Sequence, residues 1–196
     1  MLLKIVQTGT PVLRQKARPL TPDQIRGAEV QALIELMRET MRDAPGVGLA
    51  APQIGESLQL AVIEDSVTAP QAERTPVPFH VIANPVLELR GEPGGYVDFF
   101  EGCLSVDGFQ AIVPRAHDVT VRALDHRGEP IAIEASGWYA RILQHEIDHL
   151  NGVLYIDRMR RRTFSTSRNA AAWWAGRPPS EVVAALGQHD HGAEPT

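Results

Sequence analysis

Apolar positions along this chain follow one rhythm up to Pro45-Gly46 and a different one beyond it. In the first part Ile25, Val30, Leu33, Met37 and Met41 recur near helical spacing, behind Thr21-Pro22-Asp23-Gln24. That tetrapeptide reads as an N-cap, a proline at the first helical position and a capping-box glutamine. One amphipathic helix is therefore expected, ending before Pro45-Gly46. Short β-prone runs follow at 59–64, 79–83, 86–89, 110–113, 118–125 and 130–134, separated by Pro, Gly or Asp. Asp125-His126-Arg127-Gly128 reads as a hairpin turn. A second helix is expected from about Gly137 to Leu150, with Ser136 as its cap and Asn151-Gly152 as its stop.

Helices set apart from consecutive strands, rather than alternating with them, imply an α+β fold of mostly antiparallel sheets packed around the second helix. The polar, proline-bearing stretch 67–78 reads as a surface insertion. Arg177-Pro178-Pro179 precedes one short helical piece, and 187–196 reads as a loose tail. The expected division is a main domain over 1–165 and a C-terminal helical extension with its tail over 166–196.

Composition narrows the class. At 196 residues with 43% hydrophobic and 22% charged side chains, the chain can fold as one domain around its own core. A formal charge of −5 gives no overall attraction to nucleic acid or anionic lipid. No run approaches the roughly 20 apolar residues of a membrane span, and Met1 to Arg14 lacks the apolar stretch of a secretory leader, so a cytoplasmic location is expected. The single cysteine, Cys103, cannot form an internal disulfide; it is either a small buried hydrophobe or a chemical group.

The chemistry concentrates in three segments. Gln144-His145-Glu146-Ile147-Asp148-His149 places H-E-x-x-H inside the second helix. Residues four apart share a helical face, so both imidazoles can reach one divalent ion while Glu146 reaches a water beside it. A catalytic site of this type takes a third protein ligand. A metzincin continuation would put histidine where Tyr155 stands, and a thermolysin-like glutamate fails because no acid occurs between Asp157 and Glu181. Upstream, Glu101-Gly102-Cys103-Leu104-Ser105-Val106 carries the only thiol, and a thiolate with two imidazoles suits zinc or ferrous iron. The third segment, Gly46-Val47-Gly48-Leu49-Ala50-Ala51-Pro52-Gln53-Ile54-Gly55, lets backbone approach a ligand closely and offers the Gln53 amide to a developing oxyanion. The plainer alternative is a tightly packed turn. The segment is no phosphate loop, since it lacks the Gly-Lys-Ser/Thr ending.

Together these segments resemble the peptide deformylase family, whose signatures G-x-G-L-A-A-x-Q, E-G-C-L-S and Q-H-E-x-D-H-L all occur here in the family's order. The resemblance runs from about Val6 to Met159, and Gly137-Trp138-Tyr139-Ala140-Arg141 is also similar to some members. It implies Cys103, His145 and His149 as metal ligands, and Glu146 as general acid and base. It implies Gln53 and the Leu104 backbone N–H as oxyanion donors and Gly48 along the substrate backbone. Gly46, Val47, Gly102, Trp138, Arg141 and Ile142 are the further implied substrate contacts. The implied cofactor is one divalent ion, ferrous iron (Fe2+) first, with Zn2+, Ni2+ or Co2+ also compatible. The implied reaction is hydrolysis of the N-formyl group of formyl-Met nascent peptides, releasing formate.

Some residues depart from the pattern. Asp107 stands where proline is common, and Gly108-Phe109-Gln110 differs from the arginine-bearing loop of some relatives, which leaves side-chain preference there open. A basic run of Arg158, Arg160, Arg161, Arg162 and Arg168 reads as a solvated helix end or as a ribosome contact. Two rival readings are another amide hydrolase or metallopeptidase with the same ligands, and a metal- or peptide-binding module without activity. Glu146 and Gln53 speak against the latter, because neither is needed merely to hold an ion.

Overall fold

The computed structural model describes residues 2–44, 46–66, 74–90 and 95–186. The loose tail expected at 187–196 and most of the insertion expected from residue 67 lie outside the described residues.

The capping box at Thr21 forms as read: its hydroxyl accepts from Gln24 N at 3.2 Å, and Gln24 Oε1 accepts from Thr21 N at 2.8 Å. The single helix expected behind it is two helices, α1 (Pro22–Arg26) and α2 (Ala28–Asp43). Gly27 separates them in an extended conformation, ψ 147°, a break that glycine's weak helix propensity permits. The carbonyl of Ile25 finds a partner in Gln31 Nε2 at 2.7 Å, so the interruption leaves that buried group satisfied. From there α2 buries Ile34, Met37 and Met41 against the first sheet.

That sheet contains β1 (Gly48–Ala50), β2 (Leu60–Asp65), β3 (Val77–Arg90), β6 (Asp118–Leu124) and β7 (Pro130–Ser136), in the order β1-β2-β3-β6-β7. A second sheet joins β4 (Tyr96–Cys103), β5 (Val106–Ala116) and β8 (Ser165–Thr166). All pairings within both sheets are antiparallel. The runs expected at 79–83 and 86–89 are one strand, β3, with a register shift between Ala83 and Val86. Asn84 sits there at φ 49°, and its amide exchanges hydrogen bonds with the Leu20 backbone at 2.9 and 2.7 Å, which pays for the irregular backbone. Strands β1 and β4 carried no clear alternation and were not expected. The end of the expected insertion is also corrected: Val77 is buried and pairs with Asp65 as the first residue of β3. The hairpin turn holds, because Asp125 Oδ1 accepts from the N–H groups of Arg127 and Glu129 at 2.8 and 2.9 Å.

The central helix, α3, spans Gly137–Leu150 as expected and packs against strands of both sheets. Ser136 does not cap it; its hydroxyl meets Asp118 instead, and Gly137 N donates to His117 O at 2.8 Å. Ala140, Leu143, Ile147 and Leu150 bury one face of α3 against Ile63, Ile82 and Val121. Gly152 ends the helix at φ 76°, where a Cβ would stand 2.8 Å from the Arg14 carbonyl carbon, so only glycine lets the N-terminal segment cross here. Beyond it lie α4 (Tyr155–Arg158), α5 (Ser167–Trp174) and α6 (Pro179–Leu186), the last being the short piece expected after Arg177-Pro178-Pro179. No helix among the described residues is long and apolar enough to cross a membrane.

Candidate metal centre and active site

Cys103, remote in sequence, meets the His145 and His149 pair between the end of β4 and α3. One ligand atom each of Cys103, His145 and His149 lies within 4.8 Å of the others, and Cys103 Sγ is 3.2 Å from His149 Nε2. Helical spacing places the two imidazoles, ring centroids 5.0 Å apart, on one face. The turn between β4 and β5 brings the thiol to them.

These residues fit a divalent cation on several independent grounds. Thiolate and imidazole form a soft donor set. Burial works against charge on His145, yet hydrogen bonds and charge from Cys103 and Glu101 carry it up to about 10, so the cluster favours positive charge. Burial, and His145 after it, hold His149 well below its ordinary value, which keeps it in the neutral form that donates a lone pair. His149 Nδ1 and Glu146 Oε2 are buried with no hydrogen-bond partner among the described residues.

His145 is held from behind. Its Nδ1 lies 3.0 Å from Glu101 Oε2, leaving Nε2 for the ion. Arg115 grips the same carboxylate with two bonds, at 2.9 and 3.0 Å, and reaches Asp148 at 2.5 Å. Arg158 closes the array on Asp148 at 2.7 and 2.8 Å. Burial alone would raise the Glu101 carboxyl, but His145 and Arg115 hold it far below the carboxylate range. Glu101 stood in a motif without an assigned role, and Arg115 carried no sequence signal. Tyr155, at the position of the metzincin histidine, is buried and stacks 6.3 Å from His145.

Glu146 lies on the open side of the cluster. Burial pushes its carboxyl up to about 7, against the pull of His145. Gly48 explains how it fits: a Cβ there would stand 2.5 Å from Glu146 Cδ, so the carboxylate occupies the space a side chain would take. Gly48→Ala should displace that carboxylate and lower turnover by about 10²-fold, the effect of misplacing a reacting group by roughly 1 Å, with metal content unchanged. Parent-like rates in a fully metallated variant would show that the position of Glu146 is not critical.

Gln53 is oriented by its surroundings. Its Oε1 accepts from Ala50 N at 2.8 Å, which turns Nε2 toward Cys103 Sγ at 3.5 Å and Ser105 Oγ at 3.4 Å. Leu104 occupies the turn, whose backbone is clipped by Gln7: Nε2 donates to Leu104 O at 2.9 Å, and Oε1 accepts from Asp107 N at 3.2 Å. Sequence reading missed Gln7.

A cavity of about 410 Å3 opens over these groups. Gly46, Val47, Gly48 and Gly102 line it, and so do Trp138, Arg141 and Ile142, one helical face of α3. Two guanidiniums stand over the Trp138 ring, Arg141 at 3.7 Å and Arg74 at 4.6 Å from its centroid. Asp65 fixes this wall, accepting from Trp138 Nε1 at 2.9 Å and from Arg74 at 2.7 and 3.0 Å. Arg74 thus belongs to the cavity, although the sequence around it reads as a surface insertion.

A donor set that could hold a divalent ion, with a buried carboxylate and a side-chain amide beside it, fits the class of metal-dependent hydrolases. The sequence matches the family described as Polypeptide deformylase over residues 2–165. It is 45% identical over 190 residues to peptide deformylase 3 of Streptomyces avermitilis, covering 94% of this chain and 84% of that protein. It is 48% identical over 174 residues to the chloroplastic peptide deformylase 1A of Solanum lycopersicum, covering 84% of this chain but only 62% of that longer protein. Among solved structures, the class I type b peptide deformylase of Acinetobacter baumannii with Met-Ala-Ser bound is similar, with a TM-score of 0.73 and 33% identity over 81% of this chain and 99% of that one. The chain belongs to the peptide deformylase family, hydrolases that remove the formyl group from N-formylmethionine peptides.

Proposed function

We propose that Cys103, His145 and His149 hold one divalent ion and that Glu146 carries the protons as the formyl group leaves a formyl-Met nascent peptide. The observation carrying this reading is the Glu146 carboxylate seated against Gly48 beside the Cys-His-His cluster. A divalent ion bound there supplies Lewis acidity, polarising a carbonyl and lowering the pKa of water to about 7. Glu146 takes a proton from the attacking water and returns it to the amine as the C–N bond breaks, giving formate and a free N-terminus. Gln53 Nε2 and the Leu104 N–H donate to the oxyanion between these steps. Val47, Trp138, Arg141 and Ile142 shape the wall for the methionine side chain, while Gly46, Gly48 and Gly102 admit the peptide backbone. Ferrous iron is the ion we favour, in a cytoplasmic compartment where the free Cys103 stays reduced.

Formate release tests the whole reading. Protein purified anaerobically, with its metal counted, should cleave formyl-Met-Ala-Ser and spare acetyl-Met-Ala-Ser. Equal cleavage of both would turn the assignment toward a general amide hydrolase. Cys103→Ser should retain far less metal than the parent, because a neutral hydroxyl replaces a thiolate. Undiminished retention would remove Cys103 from the ligand set.

Contact with the ribosome is a further part of this reading. Arg158 and Arg160 are engaged by Asp148 and Asp98, which concentrates the proposal on the exposed Arg161, Arg162 and Arg168. Salt-sensitive co-sedimentation with ribosomes should disappear when these three are replaced by alanine, and its persistence would refute the contact.

A further inference from the structure

The arginines around the cavity and behind it are clasped by carboxylates: Arg74 by Asp65, Arg115 by Glu101 and Asp148, and Arg158 by Asp148. Arg141 is the exception. Its Nη1 donates to Phe100 O at 2.7 Å, and its guanidinium stands 3.7 Å from the Trp138 ring centroid and 5.9 Å from that of Phe99. Among the described residues no carboxylate lies within ion-pair distance of it. A guanidinium is all donor and no acceptor. Beyond the Phe100 bond its N–H groups have no protein acceptor among the described residues, and the side chain lines the cavity that holds Cys103 and Glu146.

Burial, opposed by Glu101, draws this guanidinium down to about 10, which leaves it charged at neutral pH. The acids whose charge reaches it are already engaged, Glu101 by Arg115 and His145, Asp65 by Arg74 and Trp138. A cation taken out of water without a counter-ion is unfavourable, and a visiting anion relieves it. The peptide that enters brings none to this point, because its formyl amide and methionine side chain are neutral. One product of the reaction does: formate is an anion.

Position favours the encounter. Arg141 and His145 are four apart on α3, so they are neighbours on one helical face, with Cβ atoms about 5–6 Å apart. Resting on the deformylase reading above, we infer that the Arg141 guanidinium is a binding site for a small carboxylate, and that it receives the formate set free one helical turn away. Its planar fork matches the two oxygens of a carboxylate, and the charge-assisted bond forms only once the C–N bond has broken. The site therefore tells product from substrate. The aliphatic stem of Arg141 still serves the methionine wall, since a long cationic side chain can pack its stem on apolar neighbours while its head group binds elsewhere.

The test titrates the metal-loaded full chain with sodium formate and, separately, with the other product, Met-Ala-Ser, following heat of binding. Arg141→Gln should weaken formate by about tenfold, the scale of a hydrogen bond to a charged group, and Met-Ala-Ser by much less. Arg141→Lys, which keeps the charge but not the fork, should retain part of the formate affinity. Unchanged formate affinity in Arg141→Gln overturns the site, because formate would then be held elsewhere in the cavity. Equal weakening of formate and Met-Ala-Ser also overturns it, making Arg141 part of the wall and nothing more. Should Arg141→Gln fail to fold, crystals of the parent soaked in formate decide: a formate against the guanidinium is expected, and formate confined to the Cys-His-His cluster sinks the inference. Failure of the parent to release formate from formyl-Met-Ala-Ser, with formate binding through Arg141 intact, is a different result, which overturns the deformylase reading and leaves the carboxylate site standing.

Discussion

Glu146→Gln is expected to keep its metal and lose about 10²- to 10⁴-fold in kcat, the contribution of a positioned acid and base. Glutamine preserves the shape of the side chain in the space left by Gly48 but cannot accept and return a proton. The ligand cluster does not include Glu146, so metal counted per chain should stay that of the parent. Counting metal and turnover on the same sample separates the two roles. A fall in metal with normal turnover per ion would make Glu146 a ligand, and normal values of both would remove it from the mechanism.

Arg115→Ala is expected to be the most destabilising single change in the site, at about 3–5 kcal/mol, because it leaves the buried Glu101 carboxylate without its guanidinium, while Asp148 keeps Arg158. Arg115 and Glu101 are each 2% exposed, and Asp148 also loses a bond. For a chain of this size that corresponds to a drop in Tm of about 10 °C. Glu101 should then hold His145 less well, so metal affinity should fall by about 10- to 100-fold. The double variant Glu101→Gln with Arg115→Ala should cost less than the sum of the single changes, since it no longer strands a charge. Strict additivity in thermal unfolding would show that the two side chains act independently.

The metal centre was more legible than its support. H-E-x-x-H shows in the sequence because two imidazoles suited to an ion and the carboxylate proposed to carry protons share one helix, and helical spacing is a local property. Cys103 stands out in the sequence as the lone thiol that could complete the two imidazoles, and Gln53 as an amide in a glycine-rich stretch; the family resemblance adds their roles. Arg115, Arg74 and Gln7 could not be found this way. Each acts through a partner that is remote in the chain, Glu101 and Asp148 for Arg115, Trp138 and Asp65 for Arg74, and the Leu104 turn for Gln7.

The same distinction holds for the fold. Thr21 with Gln24, the Asp125 turn and the span of α3 depend on contacts within a few residues, so the sequence by itself determined them. The break at Gly27, the joining of β3 through Asn84, and the strands β1 and β4 were decided by tertiary structure. Asn84 is held by Leu20, and Gly48 in β1 is shaped around Glu146. β4 owes its strand to an edge shared with β5. Propensity and periodicity report only on neighbours in the chain, whereas these elements exist because long-range hydrogen bonds and packing outweigh weak local preferences.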